Sequence, residues 1–382
     1  MATVKTKPDI PVFQPYLGPE VYEAAKRALD GGWIAIGRLT YDFEHELSAY
    51  LGLAGGGRNL LTVSSGTAAL HSACVLAGVG PGDEVICPSF TFVACHQAIT
   101  ATGAGLAFCD VEDESFGLDP DSVRSLVNER TKAIMAVHYA GIPCRIDEIH
   151  EIAREYGLRV IEDAAHAFGS RSHGRLIGTF GDLVCFSFGP VKIITSLEGG
   201  ALVTPNPEDV QLVRELRLVG IDTDRALRTN TRMWDYDVLR QGWRYHMGSM
   251  QASIGLSQLA LIETFIENRR SYCRRYSEHF ADISEVTTPM TDFADESMFI
   301  YFIRLPDART RDELAAHLAA GGVHTGIHFQ SAHEYSLYRS SRRGDLTMTE
   351  RLADQQLTLP LHSYMDDESL ERVIDSVRMF FG

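Results

Sequence analysis

Residues 185–200 read CFSFGPVKIITSLEGG, and the rest of the chain is organised around this stretch. The apolar run Val184–Phe186 predicts a short buried strand. A Gly-Pro pair follows the strand, and a single lysine, Lys192, lies between that pair and Gly199-Gly200. In a partly desolvated pocket the pKa of a lysine falls, which favours Schiff-base chemistry. Taken alone, however, the stretch favours a solvated loop lysine, because most lysines are solvated.

Upstream of this stretch, short apolar runs alternate with helical segments, and this alternation predicts right-handed βαβ units on a mainly parallel sheet. We therefore expect an α/β fold with a central sheet flanked by helices. Ligands bind such sheets at the carboxyl ends of the strands. The predicted strands are Leu60–Val63, Glu84–Cys87, Ala107–Asp110, Ala133–His138, Arg159–Ile161, Leu183–Phe188 and Ala201–Thr204, and the predicted helices between them are Gly66–Leu76, Thr91–Thr102, Asp119–Asn128 and Ile146–Tyr156.

The pattern changes after about Gly248. One long helix is predicted at Gln251–Phe280, followed by a strand at Phe299–Arg304 and helices at Arg311–Ala320 and Ser369–Phe380. This mixture predicts a smaller C-terminal α+β domain over residues 249–382. Residues 1–248 would form an N-terminal arm and a large α/β domain that carries the ligand site.

The charge balance excludes some classes of partner. The 382 residues include 35 Lys and Arg against 51 Asp and Glu, which gives a formal net charge of −16. An acidic chain is a poor binder of nucleic acid or of an anionic membrane. A small anionic ligand stays compatible with this charge, because it needs only a local cluster of cations or backbone N–H groups.

The cysteines and the N-terminus indicate the compartment. Seven cysteines occur, and no two have CxxC spacing, so reduced buried cysteines are expected and neither a disulfide framework nor a metal site is predicted. The opening MATVKTKPDIPVF has no apolar core of a signal peptide, and no stretch is long enough to span a bilayer. We expect a cytoplasmic protein.

Three further stretches place polar or aromatic residues at the ends of predicted strands. The turn Ser64–Ala68 opens a helix and suits either an anion site or a simple N-cap. Asp163 follows the strand Arg159–Ile161, where a buried carboxylate needs a partner such as a pyridinium nitrogen or a neighbouring loop. His166 suits a core histidine as well as a ligand, and Phe92 suits a core aromatic as well as a residue that stacks on a flat ring.

These weak signals gain weight in combination. An anion-binding turn, an aromatic ring, an aspartate, Ser187 and Lys192 occur in this order, each at the end of a predicted parallel strand. Together they would supply a phosphate cradle, a ring stack, a partner for a ring nitrogen and an amine for a Schiff base. Those are the groups that pyridoxal 5'-phosphate (PLP) requires of its protein. The sequence therefore predicts a PLP site.

A series of longer stretches occurs in an order that is specific to one enzyme family. They read GWIAIGRLTYDFEHELSAYLG, SSGTAALHSA, GPGDEVICPSFTFVACHQAI, GLDPDSV, RTKAIMAVHYAG, VIEDAAHAFGS, CFSFGPVKIITSLEGG, MQASIGLSQL and LPLHSYM. In this order they resemble the DegT/DnrJ/StrS family of PLP-dependent nucleotide-sugar aminotransferases, which have the fold type I architecture. The resemblance runs from about Ile10 to the C-terminus.

The resemblance implies a role for each candidate residue. Lys192 would bind PLP as a Schiff base and then act as nucleophile and general acid/base in turn. Asp163 would pair with the pyridine nitrogen, and Phe92 would stack on the ring. The other implied contacts are to the phosphate, from the backbone N–H groups of Gly66 and Thr67 and the hydroxyl of Ser187, and to the region of the phenolic oxygen, from His166.

Two further candidates, Arg244 and His328, lie in segments that depart from the relatives or that are harder to interpret. Residues 242–247 read Gly-Trp-Arg-Tyr-His-Met, whereas relatives often read Gly-Tyr-Asn-Tyr-Arg-Met. The usual Asn reaches into the partner's site near the phosphate, and Arg244 could do so as a cation, face a substrate diphosphate, or lie on the surface. His328, in GIHFQSAHEY, matches a family segment near the sugar and is a candidate substrate contact, with a core or surface role as the alternative.

The resemblance implies a reaction as well as a cofactor. The enzyme would move an amino group from L-glutamate to a keto-sugar of a nucleotide-diphosphate sugar, with pyridoxamine 5'-phosphate as the intermediate form of the cofactor. It would be a homodimer with active sites shared across the interface. A cyclitol or another carbocyclic ketone is an alternative substrate. Pyridoxamine-dependent dehydratases carry histidine at the lysine position, so Lys192 argues against that class. Non-catalytic relatives would lose Lys192 or Asp163, and both are present.

Overall fold

The computed structural model describes residues 8–222 and 236–382. Its centre is an eight-stranded sheet in the order β1-β9-β8-β5-β4-β2-β3-β11, and a two-stranded sheet pairs β10 with β12. The strands are β1 Asn59–Val63, β2 Glu84–Pro88, β3 Gly105–Cys109, β4 Thr131–Val137, β5 Arg159–Asp163, β6 Arg171–Ser172, β7 Arg175–Leu176, β8 Leu183–Ser187, β9 Gly200–Thr204, β10 Tyr301–Arg304, β11 Arg342–Arg343 and β12 Gln356–Leu359.

The large sheet is mainly parallel. The strands β8, β5, β4, β2, β3 and β11 pair in parallel, and within this sheet, among the described residues, only the pairings of β9 with β8 and with β1 are antiparallel. This confirms the α/β architecture that the alternating pattern predicts. Because β1, β2, β5 and β8 run in the same direction, their carboxyl ends meet at one edge of the sheet.

Helices cover both faces of the sheet. Along β4, Met135 packs in the core that contains α3, whereas Ile134 packs in the core that contains α6. A strand that is buried on both faces reads as a continuous apolar run, which is typical of parallel sheets. The helices are α1 Pro19–Asp30, α2 Arg38–Tyr50, α3 Gly66–Leu76, α4 Ala94–Thr100, α5 Pro120–Leu126, α6 Ile146–Tyr156, α7 Pro207–Leu216, α8 Ser249–Leu259, α9 Ile262–Phe280, α10 Ala308–Ala320, α11 Thr347–Gln355 and α12 Asp367–Phe381.

The single long helix predicted at Gln251–Phe280 is wrong. The segment forms two helices, α8 and α9, because Leu261 between them has a φ of −108° and a ψ of 3°, outside the helical region. The two helices pack against different partners: α8 lies on α1 and α2, whereas α9 lies on α12. No Gly or Pro marks the break, so the apolar spacing continues through it.

The C-terminal residues form a second core around β10 and β12. Tyr301 and Leu359 pair across these strands and pack with α9, α10 and α12. The short strand β11 leaves this group and extends the large sheet beside β3. The division of the chain at residue 248 stays a prediction. None of the described helices combines the length and the apolar character that crossing a bilayer requires.

Candidate active site

A cavity of about 520 Å³ opens where the carboxyl ends of the parallel strands meet. Its wall brings together all but one of the residues that the sequence singles out. Arg244 is the exception: it is exposed and does not line this cavity, although its neighbour Tyr245 accepts a hydrogen bond from the Ser64 N–H at 2.6 Å. The predicted residues in the wall are Gly66, Thr67, Phe92, Asp163, His166, Ser187, Lys192 and His328.

The first turn of α3 forms one side of the cavity. Ser65 is the N-cap, and its hydroxyl accepts a hydrogen bond from the Ala68 N–H at 3.1 Å. Ser65 therefore caps the helix, and the anion interpretation stays compatible with this cap, because the hydrogen bond uses only the N–H of Ala68. Gly66 and Thr67 come first in the helix, where N–H groups have no helical carbonyl to bind, so they stay available to an anion.

Gly66 is required by close packing against β8. A Cβ at Gly66 would lie 2.8 Å from the Cβ of Ser187 and 3.0 Å from its Oγ. This approach sets the Ser187 hydroxyl beside the start of α3, so three donors converge on one space: two backbone N–H groups and one hydroxyl. That set suits a phosphate group.

Lys192 lies in the cavity wall and is partly buried, so the interpretation as a solvated loop lysine does not hold. Its Nζ is 4.3 Å from the centre of the Phe299 ring. Burial lowers the pKa of Lys192 to about 8, against the opposing effect of the nearby Asp163 carboxylate. A larger fraction of this amine is consequently neutral near pH 7 than for a solvated lysine, and only the neutral amine is a nucleophile.

Asp163 ends β5 and is 7% exposed. Its Oδ1 accepts a hydrogen bond from the Ala165 N–H at 2.9 Å, and its Oδ2 accepts one from the Cys95 thiol at 2.8 Å. Both oxygens are therefore held in place, and each keeps a second lone pair for a ligand. The thiol of Cys95 is a contact that the sequence reasoning missed.

Glu162, the neighbour of Asp163, serves another purpose. It is fully buried and accepts hydrogen bonds from Nε2 of His138 and Nε2 of His150, each at 3.1 Å. These two bonds hold the pKa of Glu162 below its usual range in spite of its burial. Since successive residues of a strand point to opposite faces, Glu162 is a structural carboxylate and Asp163 faces the cavity.

Aromatic rings form the rest of the wall. Phe92 is 55% exposed at the cavity, and its ring centre lies 5.8 Å from that of Phe329. Phe13 and Phe299 stack at 5.0 Å with an interplanar angle of 6°. The sequence singles out Phe92 but not the other three rings, because Phe13, Phe299 and Phe329 do not follow strands of the large sheet.

Two histidines of the wall are neutral near pH 7. Burial, followed by the charge of Lys192 and of His328, holds the pKa of His166 well below its ordinary value. Burial and the charge of Lys192 lower the pKa of His328 to about 4. The Nδ1 atom of His166 is buried and has no hydrogen-bond partner in the described part of the chain. Such an orphaned polar atom favours a bound polar group in the cavity.

These features fit PLP group by group. The start of α3 and Ser187 suit the phosphate, Asp163 suits the protonated pyridine nitrogen, and Phe92 offers an exposed ring face. Lys192 supplies the amine, and the unpaired His166 supplies a polar contact for the ring substituents. The cradle at Gly66, which a side chain would fill, is the most restrictive of these features.

Comparison with known proteins agrees with the geometry. The sequence model of the DegT/DnrJ/EryC1/StrS aminotransferase family matches residues 15–378. The uncharacterised protein MJ1066 of Methanocaldococcus jannaschii is 33% identical over 377 residues, which cover 97% of each chain. Among solved structures, the aminotransferase TlmJ of Streptoalloteichus hindustanus is 34% identical with a TM-score of 0.90, and it covers 97% of this chain and 98% of its own.

A second solved structure extends the comparison. The sugar aminotransferase CalS13 of Micromonospora echinospora is 25% identical with a TM-score of 0.87, covering 97% of this chain and 99% of its own. The family match, the similar chains and the cavity all indicate the same class of enzyme. The chain belongs to the DegT/DnrJ/EryC1/StrS aminotransferase family and is a PLP-dependent transaminase of fold type I.

Proposed function

We propose that the protein moves an amino group from L-glutamate to a keto-sugar of a nucleotide-diphosphate sugar and so forms an amino-deoxy sugar. One observation carries this proposal: the cavity holds a lysine of lowered pKa, a buried aspartate and an anion cradle together. The sugar half is supported by CalS13, which is named a sugar aminotransferase. The nucleotide and the glutamate donor rest on the family resemblance of the motifs.

The residues divide the work between binding and proton transfer. When bound, PLP supplies an electron sink for the bonds at the substrate's nitrogen-bearing carbon. Gly66, Thr67 and Ser187 would anchor the phosphate, and Asp163 would keep a proton on the pyridine nitrogen. Lys192 would hold the cofactor covalently, then be released as a free amine that carries a proton between substrate atoms.

The pKa of Lys192 suits both tasks. A group near pKa 8 gives up and takes back a proton at neutral pH more readily than a solvated lysine does. The ring of Phe299 lies beside the amine and contributes to the burial that lowers this pKa. His166 and His328 are neutral, so neither adds a positive charge beside the amine.

We further propose a homodimer whose subunits complete each other's active sites. Several large apolar side chains are between 43% and 62% exposed, which favours a surface covered by another protein chain. Phe92 lines the cavity and Leu197 adjoins Glu198 in its wall, so the covered surface would include the mouth of the site. Arg244, which is exposed and does not line the cavity of its own chain, would then serve the partner. The exposed apolar side chains of this proposed surface are Trp33, Ile34, Phe92, Leu197, Tyr236, Val238 and Leu239.

The test is a panel of keto-sugar nucleotides incubated with the purified enzyme, PLP and glutamate. We expect formation of 2-oxoglutarate that depends on one of the keto-sugars, with an amino sugar as the second product. Lys192→Ala should lower turnover on the order of 10³-fold or more. If the enzyme turned over a carbocyclic ketone but none of the nucleotide sugars, the substrate half of the proposal would be wrong. Release of 2-oxoglutarate at an unchanged rate by Lys192→Ala would overturn the catalytic half.

A further inference from the structure

Two side chains of strand β12 contact His328, one at its backbone N–H and one at its ring. The backbone N–H of His328 donates to Oε1 of Gln356 at 3.0 Å, and Nδ1 of His328 lies 2.9 Å from Oγ1 of Thr358. Nε2 of Gln356 donates to the same Thr358 oxygen at 2.7 Å. Gln356 and Thr358 are fully buried, so this closed set of contacts is shielded from water.

The hydrogens of this network can be assigned one by one. A backbone N–H can only donate, so Oε1 is the atom of Gln356 that faces His328, and its NH₂ group must donate to Thr358. The Thr358 hydroxyl then has its own hydrogen left to donate, and Nδ1 of His328 is its other neighbour among the described residues. If Nδ1 carried a hydrogen, the buried hydroxyl hydrogen would lose that acceptor, which is costly.

Nδ1 of His328 is therefore an acceptor, and the ring hydrogen lies on Nε2. Nε2 has no hydrogen-bond partner in the described part of the chain and is not among the buried unpaired atoms, so it keeps some accessible surface, and His328 lines the cavity. The ring stays uncharged there, because burial and Lys192 lower the pKa of His328 to about 4.

We propose that Gln356 and Thr358 are positioning residues that hold His328 as the Nε2–H tautomer, so that the cavity offers a hydrogen-bond donor to an oxygen atom of the amino acceptor. This inference rests on the proposed function and deepens it. An uncharged donor suits a hydroxyl or keto oxygen of a sugar or cyclitol. The carboxylates of glutamate, in contrast, are bound best by charged donors such as arginine.

The first test needs no substrate. Cofactor-free protein labelled with ¹⁵N-histidine is compared with Thr358→Val and Thr358→Ser, and the signals of His328 are identified by their loss in His328→Gln. We expect an unprotonated Nδ1 and a protonated Nε2 in the wild type and in Thr358→Ser, and a mixture of tautomers in Thr358→Val. A protonated Nδ1 in the wild type would overturn the inference, whether or not the Thr358→Val variant folds.

The second test separates the two half-reactions. Thr358→Val should raise the KM for the amino acceptor about 5- to 10-fold, the effect of one lost hydrogen bond, with a smaller change in kcat. Thr358→Ser should stay near the wild type. Thr349→Val is the matched control, because Thr349 is also fully buried but its hydroxyl has no hydrogen-bond partner in the described residues.

The outcomes distinguish this inference from the proposed function. If no keto-sugar is turned over but the tautomer is as expected, the substrate proposal fails and the positioning of His328 stands. If the acceptor is turned over and Thr358→Val leaves both the tautomer and the KM unchanged, the positioning role fails alone. An effect confined to the half-reaction with glutamate would overturn the assignment to the amino acceptor.

Discussion

At the scale of single residues, desolvation determines the chemistry of Lys192. In the protein without cofactor, its pKa is lowered to about 8, whereas the unfolded chain exposes a lysine whose pKa is about 10.4. Between these values the unfolded state binds more protons than the folded state, so the free energy of unfolding rises with pH in this window. Below pH 8 both states are protonated, and the folded state bears the full cost of a buried ammonium.

Lys192→Met tests this linkage, because it replaces the amine by an uncharged side chain of similar length. Without cofactor, we expect the variant to be more stable than the wild type by about 2 kcal/mol at pH 7, with the difference shrinking as the pH approaches 10. Urea denaturation of both proteins across this range measures the effect. A variant that is less stable at pH 7, or a difference that does not depend on pH, would contradict the lowered pKa.

Cys95 should orient Asp163 through its thiol. Cys95→Ala removes the donor to Oδ2, and we expect the affinity for PLP to fall about 5-fold, the usual effect of one hydrogen bond. Cys95→Ser keeps a donor and should bind PLP almost as well as the wild type. Cys109→Ala is the control, since Cys109 is equally buried but lies in another core. Equilibrium dialysis measures the affinity of each variant for PLP. An equal loss of affinity in Cys95→Ala and Cys109→Ala would show an effect of packing and not of the hydrogen bond to Asp163.

The residues that could be predicted are those that end strands. Lys192, Asp163 and Phe92 follow apolar runs, and a parallel sheet must bring such positions to one edge. Cys95 could not be predicted, because a thiol in a helix gives no signal of its partner. Phe299 likewise precedes β10, far along the chain, and its contact with Lys192 depends on how the C-terminal core packs.

At the scale of elements, the start of α3 depends on its distance from β8. Gly66→Ala would place a Cβ 2.8 Å from the Cβ of Ser187, so the serine or the helix must shift. We expect about a tenfold loss of PLP affinity, as for one charge-assisted hydrogen bond, with the fold retained.

Gly80→Ala is the matched control, because a Cβ there meets nothing within 4 Å. Fluorescence titration with PLP and a circular dichroism spectrum check both variants. Wild-type affinity in Gly66→Ala would show that this close approach does not shape the anion site.

The elements were predictable where periodicity is strong. Apolar runs predict helix α6 and the strands of the large sheet except β11, whose two residues are both arginine. The break between α8 and α9 was missed because tertiary partners, not a Gly or Pro, determine it. Strand β12 was missed as well: Gln356 and Thr358 are polar yet fully buried, so their hydrogen bonds rather than their hydrophobicity explain their position.

At the scale of the whole molecule, Arg244 decides whether the active sites are shared. It is exposed and outside the cavity of its own chain, so a role near the phosphate requires a second subunit. We first expect analytical ultracentrifugation to give the mass of a dimer, twice the 42.3 kDa of one chain.

Mixing two defective variants tests the sharing directly. In a heterodimer of Lys192→Ala and Arg244→Ala subunits, one site would contain both Lys192 and the arginine of the other chain. We expect each variant alone to be impaired and the co-expressed heterodimer to regain up to about half of the wild-type activity. No recovery in a purified heterodimer would place Arg244 outside the partner's site.

The most direct measurement of the central claim is the visible absorbance of the purified enzyme with PLP, before and after addition of glutamate. The wild type should show a band from PLP bound covalently to Lys192, and glutamate should bleach it as the cofactor takes up the amino group. Lys192→Ala should lack the lysine-bound band, and borohydride reduction of the wild type should leave the cofactor on the peptide that contains Lys192. An unchanged band in Lys192→Ala, or cofactor fixed on another lysine, would contradict the account.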